Sequence, residues 1–337
     1  IPNLQSTAVL ACLGSRIGFV QGNSLFTFLL GFNVEHTEHP VIIKEVVDVE
    51  SVHADRNRFY CTEFNGKVWT IENQIATPVA SVEYVTQITC GKKHTFFIGK
   101  HSTWCMGSNE RGQLGIDDCD TIETPHLFDL LDNVKTASCG PFHTLVVTGY
   151  DGTVWASGMN DNGQLGLGDA KNRTTFTEIP SFSHVFSVST CSTHTLFLLK
   201  DGRVFSCGDN YNYELSLLEF NSFLPQLILG LCDICEVRCI PDTSFCLGMD
   251  GRLWRFGKAF SNQSNTIPEF CLTPCCENMG EIRSFETGFD DSILQEHFLV
   301  ITTFGGAVWK YKVLDYKRSF MLPHAFQLAK QQKSAKK

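Results

Sequence analysis

The sequence predicts an all-β fold assembled from repeats of about 50 residues, and three observations carry that reading. First, Asp-Gly and Asn-Gly pairs stand between short β-rich runs, as in 144–148 and 153–156 around Asp151-Gly152. A tight hairpin needs positive φ, which glycine adopts at little cost. Second, the turn residues Gly152, Gly202 and Gly251 lie 50 and 49 residues apart. A fixed period of that length marks a repeat architecture. Third, the chain carries 27 Phe, a residue that packs well on a pleated surface.

The elements follow in order. Residues 1–44 hold a first unit, with Gly22 at its turn and a polar link through His36 and His39. The second unit, 46–71, turns at Asn65-Gly66. The third, 82–115, has His101-Ser102 where its siblings have Asp-Gly, and a trailing loop reaches Pro125. The fourth, 134–169, contains Gly140, His143-Thr144, Asp151-Gly152 and Gly163-Gln164-Leu165-Gly166, and a loop follows to Pro180. The fifth, 185–215, repeats His194-Thr195 and Asp201-Gly202. It puts Tyr213 and Glu214 in the places of Gly163 and Gln164, and positive φ at Tyr213 would be strained. Residues 216–233 read as an apolar link able to cover a sheet edge. The sixth unit, 234–256, turns at Gly251, and the seventh, 282–311, at Gly306.

These motifs resemble the repeats of the regulator of chromosome condensation family. The carrying residues are Gly140 and His143-Thr144, Asp151-Gly152 with Val154-Trp155, Gly158, Asn160, and Gly163-Gln164-Leu165-Gly166 with Gly168-Asp169. The match is strong over 85–215. The resemblance implies a seven-bladed β-propeller over 1–322, with strands from both chain ends sharing one blade. Residues 323–337 read as a flexible basic tail.

Composition bounds the function. From Lys310 onward there are 8 basic residues and 1 acidic, so the rest of a chain of net charge −9 carries −16. Such an acidic body repels phosphate backbones and suits a basic protein surface, so nucleic acid is not the expected partner. No run is long enough for a transmembrane helix. Fifteen cysteines without a secretory signal point to free thiols in an intracellular compartment, cytoplasmic or nuclear. A monomer without cofactor is expected.

Each chemical candidate has a plain structural counterpart. His94, His143 and His194 recur once per repeat, as a residue bonding to backbone in its own turn would; Ser244 is taken as their counterpart in the sixth unit. Cys90, Cys139 and Cys191 recur in the inner strands as small hydrophobes. Cys232, Cys235 and Cys239, with Cys271, Cys275 and Cys276, have zinc-like spacing, but a strand holds residues i and i+4 far apart. No phosphate-binding loop, nucleophile elbow or metal-protease motif occurs, and no catalytic residue is assigned.

The expected function is therefore a protein-binding scaffold using its face loops. The alternative that the resemblance implies is guanine-nucleotide exchange on a small GTPase of the Ran type, without covalent chemistry. In that resemblance, acidic residues in the turn before the repeat His take part; here only Asp242 is acidic at such a place. Residues that break the symmetry are the binding candidates: Lys92, Lys93, Pro141, Phe142, Thr193, Asp242 and Thr243 in the turns before the repeat His, and Asn109, Glu110, Arg111, Asp161, Asn162, Tyr211 and Tyr213 in a second loop set.

Overall fold

The computed structural model describes residues 41–257 apart from 56–57, 118–119, 181 and 218–220, together with strands lying between 10 and 29 and between 271 and 321. These residues form seven four-stranded antiparallel sheets, over 10–42, 49–78, 85–128, 134–178, 185–227, 234–272 and 282–321. The fourth sheet shows how the repeat folds. Val134–Cys139 pairs with His143–Thr148, which turns at Asp151-Gly152 into Thr153–Gly158 and then reaches Arg173–Glu178 through a longer loop. Gly152 takes φ 75°, as Gly66, Gly202 and Gly251 do at 82°, 83° and 77°. The third sheet manages without such a glycine: the Gly99 N–H donates to the Ser102 carbonyl at 2.8 Å. The turns expected at Gly22 and Gly306 lie outside the described residues.

Alternating side chains put one apolar set on each face of a sheet, and each set packs against the neighbouring sheet. Leu145, Val147, Val154 and Leu165 of the fourth sheet thus meet Val185, Val188 and Phe197 of the fifth. Leu196, Leu198 and Val204 of the fifth meet Ile234, Val237 and Phe256 of the sixth. The core is a series of layers between sheets. The inner strands are also laced together: the backbone N–H groups of Cys139, Thr190 and Cys239 each donate to a hydroxyl of the preceding inner strand, from Thr89, Ser138 and Ser189 at 3.2, 3.1 and 3.0 Å.

Two expectations are corrected. The first is that the chain ends share a sheet. Among the described residues every sheet consists of consecutive strands, and the first inner strand, Leu10–Leu13, lies beside the last, Ile282–Asp290. The ring closes by packing, not by a shared ladder. The second concerns segments read as loops and links: Ile122–Phe128, Arg173–Glu178 and Asn221–Leu227 are the outermost strands of their sheets. They are largely exposed, and two contain proline (Pro125 and Pro225), which an edge strand tolerates because one side of it needs no ladder partner. The tail expected over 323–337 lies outside the described residues.

Candidate interaction face

The antiparallel path sends both loop sets to the same end of the ring. In the third sheet the chain runs up Val85–Cys90, down His94–Gly99 and up Thr103–Gly107. The turn at 91–93 and the loop at 108–115 therefore sit side by side, and the Ser108 N–H donates to the Lys93 carbonyl at 2.8 Å. The next two sheets repeat this contact, from Met159 N–H to Phe142 O at 2.9 Å and from Asp209 N–H to Thr193 O at 3.0 Å. The Asp-Gly turns occupy the opposite end.

Each loop is built around a buried Asn. The side-chain Oδ1 of Asn109, Asn160 and Asn210 accepts the N–H of Leu114, Leu165 and Leu215, at 2.7, 2.9 and 2.8 Å. The next polar residue braces the loop tip: Gln113 and Gln164 accept from Arg111 N–H and Asn162 N–H, and Glu214 accepts from Asn212 N–H at 2.7 Å. The fifth loop therefore keeps the shape of its siblings. Tyr213 adopts φ 64° where Gly112 and Gly163 both have 79°, so a side chain is held in the left-handed region that glycine prefers. Glu214 keeps one carboxylate oxygen buried without a hydrogen-bond partner, and burial raises its pKa.

The predicted contact residues divide accordingly. Lys93, Glu110, Arg111, Asp161, Tyr211 and Tyr213 are exposed at the loop end; Lys92, Pro141, Phe142, Thr193, Asp242 and Asn162 are half-buried beside them. The Lys92 ammonium lies 5.1 Å from the Phe142 ring and so joins two neighbouring turns. Asn109 and Thr243 are buried, which takes them off the contact surface. The first anchors its loop. The second stands where the other sheets have their His: Thr243 pairs with Gly257 as His194 pairs with Gly208. Thr243, not Ser244, is thus the counterpart of the repeat His.

The sequence reading missed residues at the opposite end. Phe64, Tyr150 and Met249 are 61%, 86% and 64% exposed. Each immediately precedes the Asn-Gly or Asp-Gly of its hairpin, and a large apolar residue in an otherwise polar turn was the available signal. The Lys135 ammonium lies 4.7 Å from the Tyr150 ring, and Lys200 of the next sheet donates to the Tyr150 carbonyl.

The repeat His residues sit on the inner side of the loop end, and two of them, His94 and His194, link sheets. His94 Nε2 contacts Thr144 Oγ1 of the next sheet at 2.8 Å, and that hydroxyl donates to the Gln113 carbonyl at 2.7 Å. The imidazole must then be the donor in the first bond. Its partner is a hydroxyl of the next sheet and not backbone of its own turn. His94 Nδ1 and both ring nitrogens of His143 have no partner. Burial lowers these imidazoles to about 3 for His94 and about 4 for His143.

The cysteines correct a register. Cys139 aligns with Thr190 and Cys239, so Cys191 falls one place later, where Gly91 and Gly140 stand in their sheets. A Cβ at Gly140 would overlap the His143 ring and press on the Cys191 carbonyl oxygen at 2.7 Å. At Cys191 a side chain does occupy that place, and its Sγ lies 3.0 Å from His194 Nδ1. Cys239 comes to the same point from the sixth sheet. Burial pushes the Cys191 thiol up, but hydrogen bonding with Cys239 and the charge of His194 outweigh it, so the thiol lies well below its ordinary range. Burial would lower His194, but the charge and hydrogen bond of Cys191, with the charges of Glu214 and Asp242, raise it. The zinc-like spacing does not gather its described residues: Cys232 and Cys235 are exposed, and Cys235 is the extra residue of a bulge between Ile234 and Glu236. Cys275 and Cys276 lie outside the described residues.

Ring, repeat and hairpin chemistry together define a repeat-built β-propeller. Two family models described as the regulator of chromosome condensation repeat match it, one over residues 100–147 and 151–198, the other over 134–164 and 187–214. The central sheets of the chain thus carry repeats of the regulator of chromosome condensation type. The X-linked retinitis pigmentosa GTPase regulator of Canis lupus familiaris is 37% identical over 150 residues, covering 42% of this chain and 15% of that protein. The probable E3 ubiquitin-protein ligase HERC6 of Homo sapiens is 32% identical over 188 residues, covering 52% and 18%. The chain thus spans less than a fifth of these relatives. The crystal structure of Prp20p from Saccharomyces cerevisiae, described with its binding to Gsp1p and histones, superposes with a TM-score of 0.71 at 17% identity, covering 96% of this chain and 85% of that one. No helix among the described residues is long and apolar enough to cross a membrane.

Proposed function

We propose that this propeller is a non-enzymatic binding platform for a protein partner, acting inside the cell through the loop end of its ring. The observation that carries the reading is the convergence of two loop sets at one end, with Lys93, Glu110, Arg111, Asp161, Tyr211 and Tyr213 exposed there. Tyrosine and arginine supply large contact area with a polar tip, as binding anchors do. The free thiols of all the described cysteines support a reducing compartment. The acidic body favours a partner with a basic surface and disfavours nucleic acid.

The test is capture by the intact propeller, compared with a variant carrying Glu110→Lys, Asp161→Lys and Tyr211→Ala. A protein held by the parent and released at least tenfold more readily by the variant supports the platform. Equal retention by both moves the interaction away from the loop end.

A second reading has its own support. A GTPase regulator is 37% identical over 150 residues, and Prp20p, whose fold this chain shares, has binding properties toward Gsp1p. Under it the propeller accelerates nucleotide release from a small GTPase of the Ran type. Release of a fluorescent GDP analogue from a GTPase panel decides: acceleration by orders of magnitude, lost on Asp242→Ala, supports exchange, and unchanged release removes it.

A further inference from the structure

We propose that Cys191, His194 and Cys239 form a binding site for a thiophilic cation of the zinc type, set between the fifth and sixth sheets. Their three donor atoms lie within 4.8 Å of one another, and all three residues are buried. Around a zinc ion, ligand atoms at about 2.0–2.3 Å stand roughly 3.5–3.8 Å apart when tetrahedral. To reach that, the 3.0 Å gap between Cys191 Sγ and His194 Nδ1 must open, and no donor pair need close by more than about 1 Å.

The hydrogen bonds around the imidazole prepare it as a ligand. Ser244 Oγ donates to the Glu214 carbonyl at 2.7 Å, so its remaining interaction with His194 Nε2, at 2.9 Å, must accept the ring N–H. That fixes the proton on Nε2 and turns Nδ1 toward the two sulfurs. Metal-bound histidines are oriented in this way by a partner on the other nitrogen. The two thiols are held as well: Cys239 Sγ donates to the Ser189 carbonyl at 3.1 Å and Cys191 Sγ contacts the His194 carbonyl at 3.5 Å.

The repeat itself argues against a purely structural origin. His94 has the same Nε2 bond to the next sheet but faces Gly91, and its Nδ1 has no partner. The third and fourth sheets have Gly91 and Gly140 at the place that Cys191 takes in the fifth. In the fifth sheet alone of these three, a thiol replaces the glycine. Two thiolates and one imidazole suit Zn2+ or Cu+, and three protein ligands leave a fourth zinc position for water or another small donor. Binding one Zn2+ releases two protons, that of Cys239 and the one held between Cys191 Sγ and His194 Nδ1, while the imidazole keeps its Nε2–H.

The test uses the reduced full chain, freed of metal and titrated with Co2+ and then Zn2+. One equivalent of Co2+ should give a thiolate charge-transfer band and tetrahedral visible bands, both abolished by Zn2+. Cys191→Gly restores the residue of the sibling sheets and so should fold; it should weaken Co2+ binding at least a hundredfold, as should Cys239→Ser. Cys235→Ser should leave it unchanged. Absence of a thiolate band in the folded, reduced parent would overturn the proposal. So would a band that survives in Cys191→Gly, or a Cys191–Cys239 disulfide formed by mild peroxide in a protein that takes up no Co2+.

Discussion

The fourth and fifth sheets carry the same turn with opposite chemistry. In the fourth, Gly140 leaves the His143 ring without a hydrogen-bond partner at either nitrogen. In the fifth, Cys191 meets His194 Nδ1 at 3.0 Å and Ser244 meets Nε2 at 2.9 Å. A Cys in place of Gly at the head of the turn, faced by Cys239 of the next sheet where Thr190 stands in the fifth, turns a filler of space between sheets into a polar cluster. Repetition therefore locates the frame, and the breaks in repetition locate chemistry.

The largest effect should come from forcing one turn toward the other. Gly140→Cys adds a side chain where a Cβ already overlaps the His143 ring, so it should destabilise by about 3 kcal/mol, the upper range for overpacking, in chemical denaturation. Cys191→Gly should cost less than half of that. Similar losses for the two would mean the turns are not built differently.

Acid should act through the unpaired imidazoles. His94 and His143 are held down to about 3 and about 4, whereas the unfolded chain protonates them near 6.5. The unfolded state then binds more protons as pH falls below about 6.5, so stability is full above that value and declines toward pH 4. For His143 the drop is worth roughly 3 kcal/mol. His143→Gln should flatten urea midpoints measured from pH 7.5 to 4.5, and an unchanged slope would contradict the burial argument.

A smaller contrast concerns the hydroxyls that the sheets exchange. Thr144→Val removes both the His94 bond and the bond to the Gln113 carbonyl, whereas Thr195→Val removes the bond to the Gln164 carbonyl. The first should cost about 1 kcal/mol more than the second. Equal costs would mean that the His94 link is energetically idle.

The fifth loop offers a gain. Tyr213→Gly relieves a left-handed side-chain conformation and should stabilise by about 1 kcal/mol. Glu214→Gln replaces a buried carboxylate whose second oxygen lacks a partner. Burial raises the Glu214 pKa, so its neutral form is favoured in the fold and the gain should be larger at pH 8 than at pH 5. Thermal midpoints at the two pH values check this.

Much of the frame was legible because turn chemistry is local. Asp151-Gly152, Asp201-Gly202 and Asp250-Gly251 announce hairpins with no knowledge of what lies beyond them, and their glycines take the positive φ expected. What failed was finer register. Cys191 looked like Cys139 because both sit near a strand end, and only the ladder reveals the shift of one residue. Ser244 was mistaken for the His counterpart for the same reason. The outer strands escaped because they are largely exposed and lack the alternating apolar pattern, and two of them carry a proline that an edge strand tolerates. The shared direction of the two loop sets was not legible in composition; it follows from the antiparallel path. The exposed Phe64, Tyr150 and Met249 were not legible because the Asn-Gly and Asp-Gly pairs that follow them carry the turn signal.

The central claim is that the loop end is the working face. The most direct measurement is a hydroxyl-radical footprint of the propeller alone and with its captured partner. The expected result is protection at 92–93, 110–111, 161–162 and 211–213, with the Asp-Gly hairpins unchanged. Protection confined to 64–66, 149–152 and 249–251 would contradict it and transfer function to the end where Phe64, Tyr150 and Met249 stand exposed.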